Sequence, residues 1–169
     1  MQKLLVLFLF LVPALLRSQY EDKRVAYLNA GASDEGIKNF YTDATTYTLN
    51  TPTDKAFKGV AIAMYAGLAN TVSEKFSIFS EGKKLIEEAV AADWYNAEIR
   101  FLRFSVQAEV PFVVGYSSNL KEDAYVVIDA LEKKRIDTSS NFWSTAIRFM
   151  LNSGELNSDQ RSRLSKFNS

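Results

Sequence analysis

Three polar residues near the middle of the chain have side chains able to bind charged groups. Arg100, Arg103 and Gln107 are spaced i, i+3 and i+7, which places them on one side of a helix. Because a guanidinium binds a carboxylate through two parallel hydrogen bonds, such a stripe suits the capture of a partner's carboxylates. Tyr116 or Trp94 would add an aromatic contact, unless Gly115 and Tyr116 form a packed turn. We predict a binding site at Arg100, Arg103, Gln107 and Tyr116.

The same spacing also fits a structural role. Arg100 and Arg103 would then form ion pairs with Glu87, Glu88 or Asp93 of the preceding helix and bind nothing else. Surface ion pairs of this kind are common and individually contribute little to stability. The residues alone leave both interpretations open.

The chain contains neither histidine nor cysteine. Histidine is the commonest general base and metal ligand, and zinc sites are built mainly on histidine and cysteine. The adjacent acids Glu87 and Glu88 point about 100° apart on a helix, so they cannot share one reacting bond. We therefore predict no catalytic residue, no metal site and no cofactor, and we expect that the protein is not an enzyme.

One short match to an enzyme motif does not change this expectation. The segment 80–83 has the S-x-x-K spacing of serine penicillin-binding enzymes, and 117–119 matches their second element, S-x-N. The third element, K-T-G, is missing, and those enzymes need a larger mixed α/β domain. We interpret Ser80 and Lys83 as residues of a solvated helix surface.

The first residues have the pattern of a secretory signal peptide. Lys3 is followed by thirteen apolar residues, 4–16, and the sequence then becomes polar. A helix needs roughly 20 apolar residues to cross a bilayer, which argues against an uncleaved anchor. We predict a signal peptide at 1–18, with cleavage after Gln19 as an alternative, and a single domain at 19–169 that is exported to the periplasm or the medium.

Charge limits the classes of partner. The whole chain has 20 basic and 20 acidic residues, and removing residues 1–18 leaves 18 basic and 20 acidic residues, a net charge of −2. A nucleic-acid surface needs a clear basic excess. We expect neither nucleic-acid binding nor stable membrane insertion after cleavage, and the sequence does not indicate an oligomeric state.

Apolar residues recur every three or four positions through most of the mature chain, which predicts an all-α fold. We expect seven or eight helices in antiparallel hairpins, arranged as a stack of repeats or as a compact bundle. The predicted helix starts have capping residues at Ser33, Thr51 (with Pro52 and Asp54), Asn96, Asn119, and Ser139 or Ser140.

Three local features carry further predictions. Small residues on the third helix should let a neighbouring backbone approach closely; they are Ala56, Gly59, Ala63, Ala66 and Gly67. The next helix, about 73–92, is expected to turn Phe76 and Phe79 inward. The segment 112–118 lacks a helical period, and we interpret it as a partly buried loop.

The segment 80–103 resembles the second helix of a tetratricopeptide repeat and the start of the next repeat. Gly82, Ile86 and Ala89 stand at the small, large and small positions of that family, and 93–98 forms the turn, with Trp94 where the family has proline. The wider pattern, KAFKGVAIAMYA followed by GKKLIEEAV and EIRFLRFSVQ, is similar to a family of exported helical proteins from Bacteroidetes-type bacteria, to which no activity is assigned. That resemblance implies an envelope or secreted location.

These observations lead to two hypotheses about function. In the first, the protein is an exported helical interaction module that binds a protein or peptide partner at an arginine-bearing groove. In the alternative, it is a helical bundle that encloses a small apolar ligand in the cell envelope, in a cavity lined by aromatic residues such as Phe101, Phe104 and Trp143.

Overall fold

The computed structural model describes residues 21–168, so the predicted signal peptide lies outside the described residues. Within 21–168 the chain forms eight α-helices joined by short turns and contains no strand, which confirms the predicted all-α fold. The helices are α1 (21–30), α2 (Asp34–Thr45), α3 (Pro52–Tyr65), α4 (Val72–Ala92), α5 (Ala97–Glu109), α6 (Leu120–Glu132), α7 (Asn141–Asn152) and α8 (Ser158–Leu164).

Most helices begin at the residues that capping chemistry predicts. The Ser33 and Ser140 side chains cap α2 and α7, and Thr51 forms a reciprocal capping box with Asp54 at the start of α3. α6 differs, because the Asn119 side chain makes no capping hydrogen bond and is used elsewhere. Local sequence therefore determines where these helices start.

The α3 and α4 helices form a tightly packed antiparallel hairpin. A Cβ atom on Gly82 would lie 2.5 Å from the carbonyl oxygen of Gly59, and one on Gly59 would lie 2.8 Å from that of Gly82. A Cβ on Gly82 would also lie 2.6 Å from the backbone nitrogen of Ala63. This confirms the predicted close approach along the small-residue face of α3, since only glycine fits at these two positions.

A second antiparallel hairpin, α5 with α6, packs beside the first, and α1 lies across both. The Tyr27 ring of α1 makes edge-to-face contacts with Phe57 of α3, Phe101 of α5 and Phe142 of α7. Edge-to-face contacts are a favoured arrangement of aromatic rings. The core of the described residues is therefore an aromatic cluster enclosed by helices from both hairpins.

The first two turns of α4 extend beyond the neighbouring helices. α4 has 21 residues and α5 has 13, and every residue from 71 to 77 is exposed. The prediction that Phe76 faces inward is therefore wrong, because 50% of this residue is exposed. The spacing of Phe76 along α4 fits a helix, but no neighbouring helix is long enough to cover this side chain.

The segment 112–118 is a partly buried loop, as predicted, but its first residues are exposed. Phe112–Val114 forms a 3₁₀ turn in which Phe112 is 92% and Val113 is 84% exposed, whereas Val114 is partly buried. Gly115 follows with a φ of 66°, a left-handed conformation that glycine adopts without strain. That change of direction returns the chain to the protein, and Tyr116 is buried.

None of the helices found in 21–168 has the length and hydropathy needed to cross a membrane.

Candidate functional site

An ion pair between α5 and α6 forms the centre of the predicted site. Arg103 donates from Nε and Nη2 to the two carboxylate oxygens of Asp123, at 2.8 and 2.7 Å. The Asp123 side chain is fully buried and only 2% of the Arg103 side chain is exposed. This is a bidentate, charge-assisted pair in an environment from which water is excluded.

Arg103 also joins α4 to this network. Its Nη1 donates to Oε2 of Glu87 at 2.9 Å, and the hydroxyl of Tyr116 donates to Oε1 of the same carboxylate at 2.6 Å. The Tyr116 ring packs edge-to-face on Phe79, and Nζ of Lys83 lies 4.7 Å from the Tyr116 ring centroid. α4 and the loop before α6 thus cover the polar face of α5.

Arg100 is buried completely, but its hydrogen bonding is incomplete. Its Nη2 donates to Oε1 of Glu122 at 2.5 Å, and the Trp94 ring lies over the guanidinium at 4.3 Å. Nη1 lies 3.1 Å from Oδ1 of Asp123 in a geometry that does not form a hydrogen bond, and Nε has no hydrogen-bond partner in the structure. Asp123 is already bound in bidentate fashion by Arg103.

Gln107, the third residue of the stripe, supports the turn into α6. Its Oε1 accepts a hydrogen bond from the backbone nitrogen of Asn119 at 3.1 Å, and its Nε2 donates to Oδ1 of Asn119 at 3.2 Å. These bonds explain why the Asn119 side chain does not cap α6.

Burial alters the acid–base properties of two groups in the network. Burial raises the pKa of Asp123 above its ordinary value, although Arg103 and Arg100 act in the opposite direction. Burial and the hydrogen bond to Glu87 raise the pKa of the Tyr116 hydroxyl, so this group remains a hydrogen-bond donor at neutral pH.

The structure therefore brings Arg100, Arg103, Gln107 and Tyr116 together, but it buries all four. The groove over α5 is filled by carboxylates of the protein itself. Of the ion pairs that the structural interpretation suggested, Arg103 with Glu87 is present. Glu88 pairs with Lys55 instead, and Asp93 accepts from Asn96.

Sequence reasoning did not find an open cleft at the other end of α5. The cleft has a volume of about 510 Å³, which is in the range typical of ligand sites. It lies where α1 meets the starts of α3, α5 and α7, the α4–α5 turn, the end of α6 and the loop that follows α6. Tyr95, Ala97, Ala130 and Trp143 contribute uncharged side chains to its lining.

Charged residues at the cleft are held in place by bonds within the protein. Arg24 donates from Nε and Nη2 to the two oxygens of Glu98, both at 2.8 Å, and from Nη1 to Glu21 at 2.7 Å. On the opposite side, Arg135 bonds to Asp129. A partner entering the cleft therefore meets charges whose positions are already determined.

Tyr95 is the most accessible aromatic residue at the cleft, with 73% of the residue exposed. The turn that carries it is held by Asn96, whose Oδ1 accepts from the backbone nitrogens of Glu98 and Ile99 and whose Nδ2 donates to Asp93. Two adjacent aromatic residues in a short turn, Trp94 and Tyr95, were the signal in the sequence that could have indicated this surface.

The aromatic residues that the small-ligand alternative requires pack against other rings. The Phe101 ring contacts those of Trp143 and Phe149, and Phe104 contacts Phe149. Phe101 and Phe104 are almost completely buried and do not line the 510 Å³ cleft, whereas Trp143 lines it but is only 4% exposed. The cleft is therefore the better supported place for a partner.

The chain was compared with models of protein families, with curated proteins and with solved structures. None of these comparisons gives a match. Proposals about function therefore rest on the geometry of this chain.

Proposed function

We propose that this protein is an exported helical interaction module that binds a protein or peptide segment in the cleft lined by Tyr95, Ala97 and Trp143. The observation that carries this proposal is the exposed Tyr95 side chain at the edge of an open cleft of about 510 Å³. Tyrosine is enriched among the residues that contribute most to protein interfaces, since it has a large surface and few rotatable bonds.

The lining suits a peptide segment more than a purely apolar ligand. Ala97, Ala130 and Trp143 line the cleft as buried residues, with 9%, 2% and 4% exposure, so its accessible aromatic surface is that of Tyr95. The Arg24–Glu98 pair offers polar groups beside this surface. Because these charges are already ordered, binding would cost little further side-chain entropy.

The location in this proposal comes from the sequence. The apolar segment 4–16 supports export, so the partner would be met in the periplasm or outside the cell. The proposal assigns binding to the protein and no catalytic step.

Peptide selection followed by affinity measurement tests the proposal. Peptides would be selected from a random library on the purified protein, and their Kd measured for variants. We expect Tyr95→Ala, which removes an exposed ring, and Ala97→Leu, which fills the cleft, each to weaken binding by about ten-fold or more. Tyr125→Ala is the matched control, because Tyr125 is also more than half exposed but does not line the cleft.

The thermal midpoint of each variant separates binding from folding. We expect little change for Tyr95→Ala and Tyr125→Ala, since both side chains are largely exposed. Ala97 is only 9% exposed, so Ala97→Leu counts as a cleft variant only if its thermal midpoint matches that of the unaltered protein. If the selected peptides bind equally well to the Tyr95→Ala and Ala97→Leu variants, the cleft is not the binding surface and the proposal is wrong.

A further inference from the structure

We propose that the guanidinium of Arg100 is a second binding site, specific for a carboxylate, which Glu122 occupies when no partner is bound. This site lies over α5 and uses none of the residues that line the cleft. The inference starts from Arg100 itself, whose side chain is completely buried while Nε and Nη1 lack hydrogen-bond partners. Buried polar groups in proteins are nearly always bonded, so unpaired donors require an explanation.

Competition for Asp123 explains why Arg100 is incompletely bonded. Both oxygens of Asp123 accept hydrogen bonds from Arg103, at 2.8 and 2.7 Å. Arg100 therefore approaches Asp123 closely enough for attraction but without a hydrogen bond. Its one hydrogen-bonded carboxylate is Glu122, through Nη2.

Two of the groups in contact with Arg100 are partly exposed side chains. Trp94 lies over the guanidinium and is 47% exposed, and the Glu122 side chain is 41% exposed. Rotation of these two surface side chains would open the guanidinium to the solvent, whereas Arg103 and Asp123 would remain buried. Glu122 thus binds Arg100 in the way a carboxylate from a partner would.

An entering carboxylate would take over the charge and the hydrogen bond of Glu122. With Glu122 turned away, two arginines, Arg100 and Arg103, face two acids, Glu87 and Asp123. A carboxylate that enters restores the charge present in the closed state and can use the free Nε–H of Arg100 as a further donor. The ligand class is a carboxylate, either an Asp or Glu side chain or a chain terminus.

The neighbouring arginine provides a matched control. Arg103 also bonds to one partly exposed acid, Glu87, whose side chain is 39% exposed, but it keeps its bidentate bond to Asp123 when that acid is removed. Glu122→Ala should therefore open a carboxylate site at Arg100, whereas Glu87→Ala should open none at Arg103.

The test follows the Nε–H signals of the two arginines by ¹H–¹⁵N NMR during titration with sodium acetate, against sodium chloride at equal ionic strength. Loss of a signal in Arg100→Lys and Arg103→Lys assigns each resonance. We expect the Arg100 signal to shift with saturation in the Glu122→Ala variant, at an acetate concentration about ten-fold lower than in the unaltered protein. The Arg103 signal should not respond in Glu87→Ala.

Two peptides then distinguish the source of the carboxylate. One has a free carboxyl terminus and no acidic side chain, and the other is amidated at its terminus and contains a single glutamate. The proposal is supported if one of the peptides binds with saturation and this binding is lost in the double variant Glu122→Ala, Arg100→Met. The peptide that binds identifies the source of the carboxylate.

An Arg100 signal that does not respond to acetate in Glu122→Ala overturns the proposal. An equal response of Arg103 in Glu87→Ala also overturns it, because removal of any acid would then produce the effect. If Glu122→Ala fails to fold, Glu122→Ser, whose short side chain also leaves Nη2 of Arg100 without its partner, is measured by the same criteria. Failure here leaves the cleft unaffected, since that site is tested with Tyr95 and Ala97.

Discussion

Arg103 and Asp123 form a two-point ion pair that joins α5 to α6 inside the protein, with both carboxylate oxygens bonded and almost no exposure of either side chain. Removing one charge from a buried pair leaves the other charge without compensation. We therefore expect Asp123→Asn to lower the free energy of unfolding by about 3–5 kcal/mol, measured by urea denaturation.

A pair of similar geometry on the surface serves as the control. Arg163 also bonds in bidentate fashion to Glu132, but both side chains are partly exposed. Glu132→Gln should have a much smaller effect, because solvent screens that pair. Equal losses of free energy of unfolding in the two variants would show that burial does not determine how much the Arg103–Asp123 pair contributes to stability.

The contact between Gly59 and Gly82 predicts that neither position tolerates a larger residue. In both Gly59→Ala and Gly82→Ala the new methyl group would overlap the backbone of the facing helix. We expect each substitution to cost about 1–3 kcal/mol, seen as a lower thermal midpoint. Gly67→Ala is the control, since a Cβ there meets nothing within 4 Å. If Gly82→Ala melts at the same temperature as Gly67→Ala, the close packing of α3 on α4 is wrong.

Lys134, at the end of α6, predicts a stabilising substitution. It has a φ of 53°, and the backbone nitrogens of Lys134 and Arg135 donate to the carbonyls of Leu131 and Ala130. This arrangement usually has glycine at the left-handed position. Lys134→Gly should raise the free energy of unfolding by about 1 kcal/mol. Gly154→Ala, at a φ of 81°, should lower the free energy of unfolding. A lower free energy of unfolding in Lys134→Gly would contradict this account.

The pair between Glu122 and Arg100 predicts a pH dependence of stability. Partial burial acts to raise the pKa of Glu122, but the hydrogen bond and charge of Arg100 outweigh it and lower this pKa. Stability from such a group is present above the unfolded pKa of about 4.3 and is lost as the pH falls through the lower folded value.

We therefore expect the protein to have a higher free energy of unfolding than Glu122→Gln at pH 7, by less than about 1 kcal/mol because Glu122 is partly exposed. This difference should shrink as the pH falls below the unfolded pKa of Glu122. Chemical denaturation at several pH values measures it. A difference that grows as the pH falls would mean that Arg100 does not stabilise the charged form of Glu122.

Local sequence predicted much of the fold because helix starts depend on neighbouring residues. The caps at Ser33, Thr51 and Asn96 were predicted from the sequence, and so was the close approach at Gly59. The exposure of Phe76 was not, since it depends on how far α4 extends beyond its neighbours. A period along one helix does not give the length of the others.

The candidate site was only partly predictable for a related reason. The spacing of Arg100 and Arg103 correctly placed them on one face, but their main acidic partners, Glu122 and Asp123, lie about twenty residues away on α6. Which acid reaches which arginine depends on how α5 and α6 pack. The cleft was missed because it exists only where several elements distant in sequence meet, and periodicity along the chain carries no such signal.

Site-specific photo-cross-linking tests the central claim, binding of a partner at the cleft, most directly. A photoreactive phenylalanine would replace Tyr95 or, as control, Tyr125 in the full chain in cells that produce it. The account predicts a discrete adduct from position 95 that is absent at 125, is lost with Ala97→Leu and is competed by the selected peptide. No adduct at position 95, or the same adducts from both positions, would contradict it.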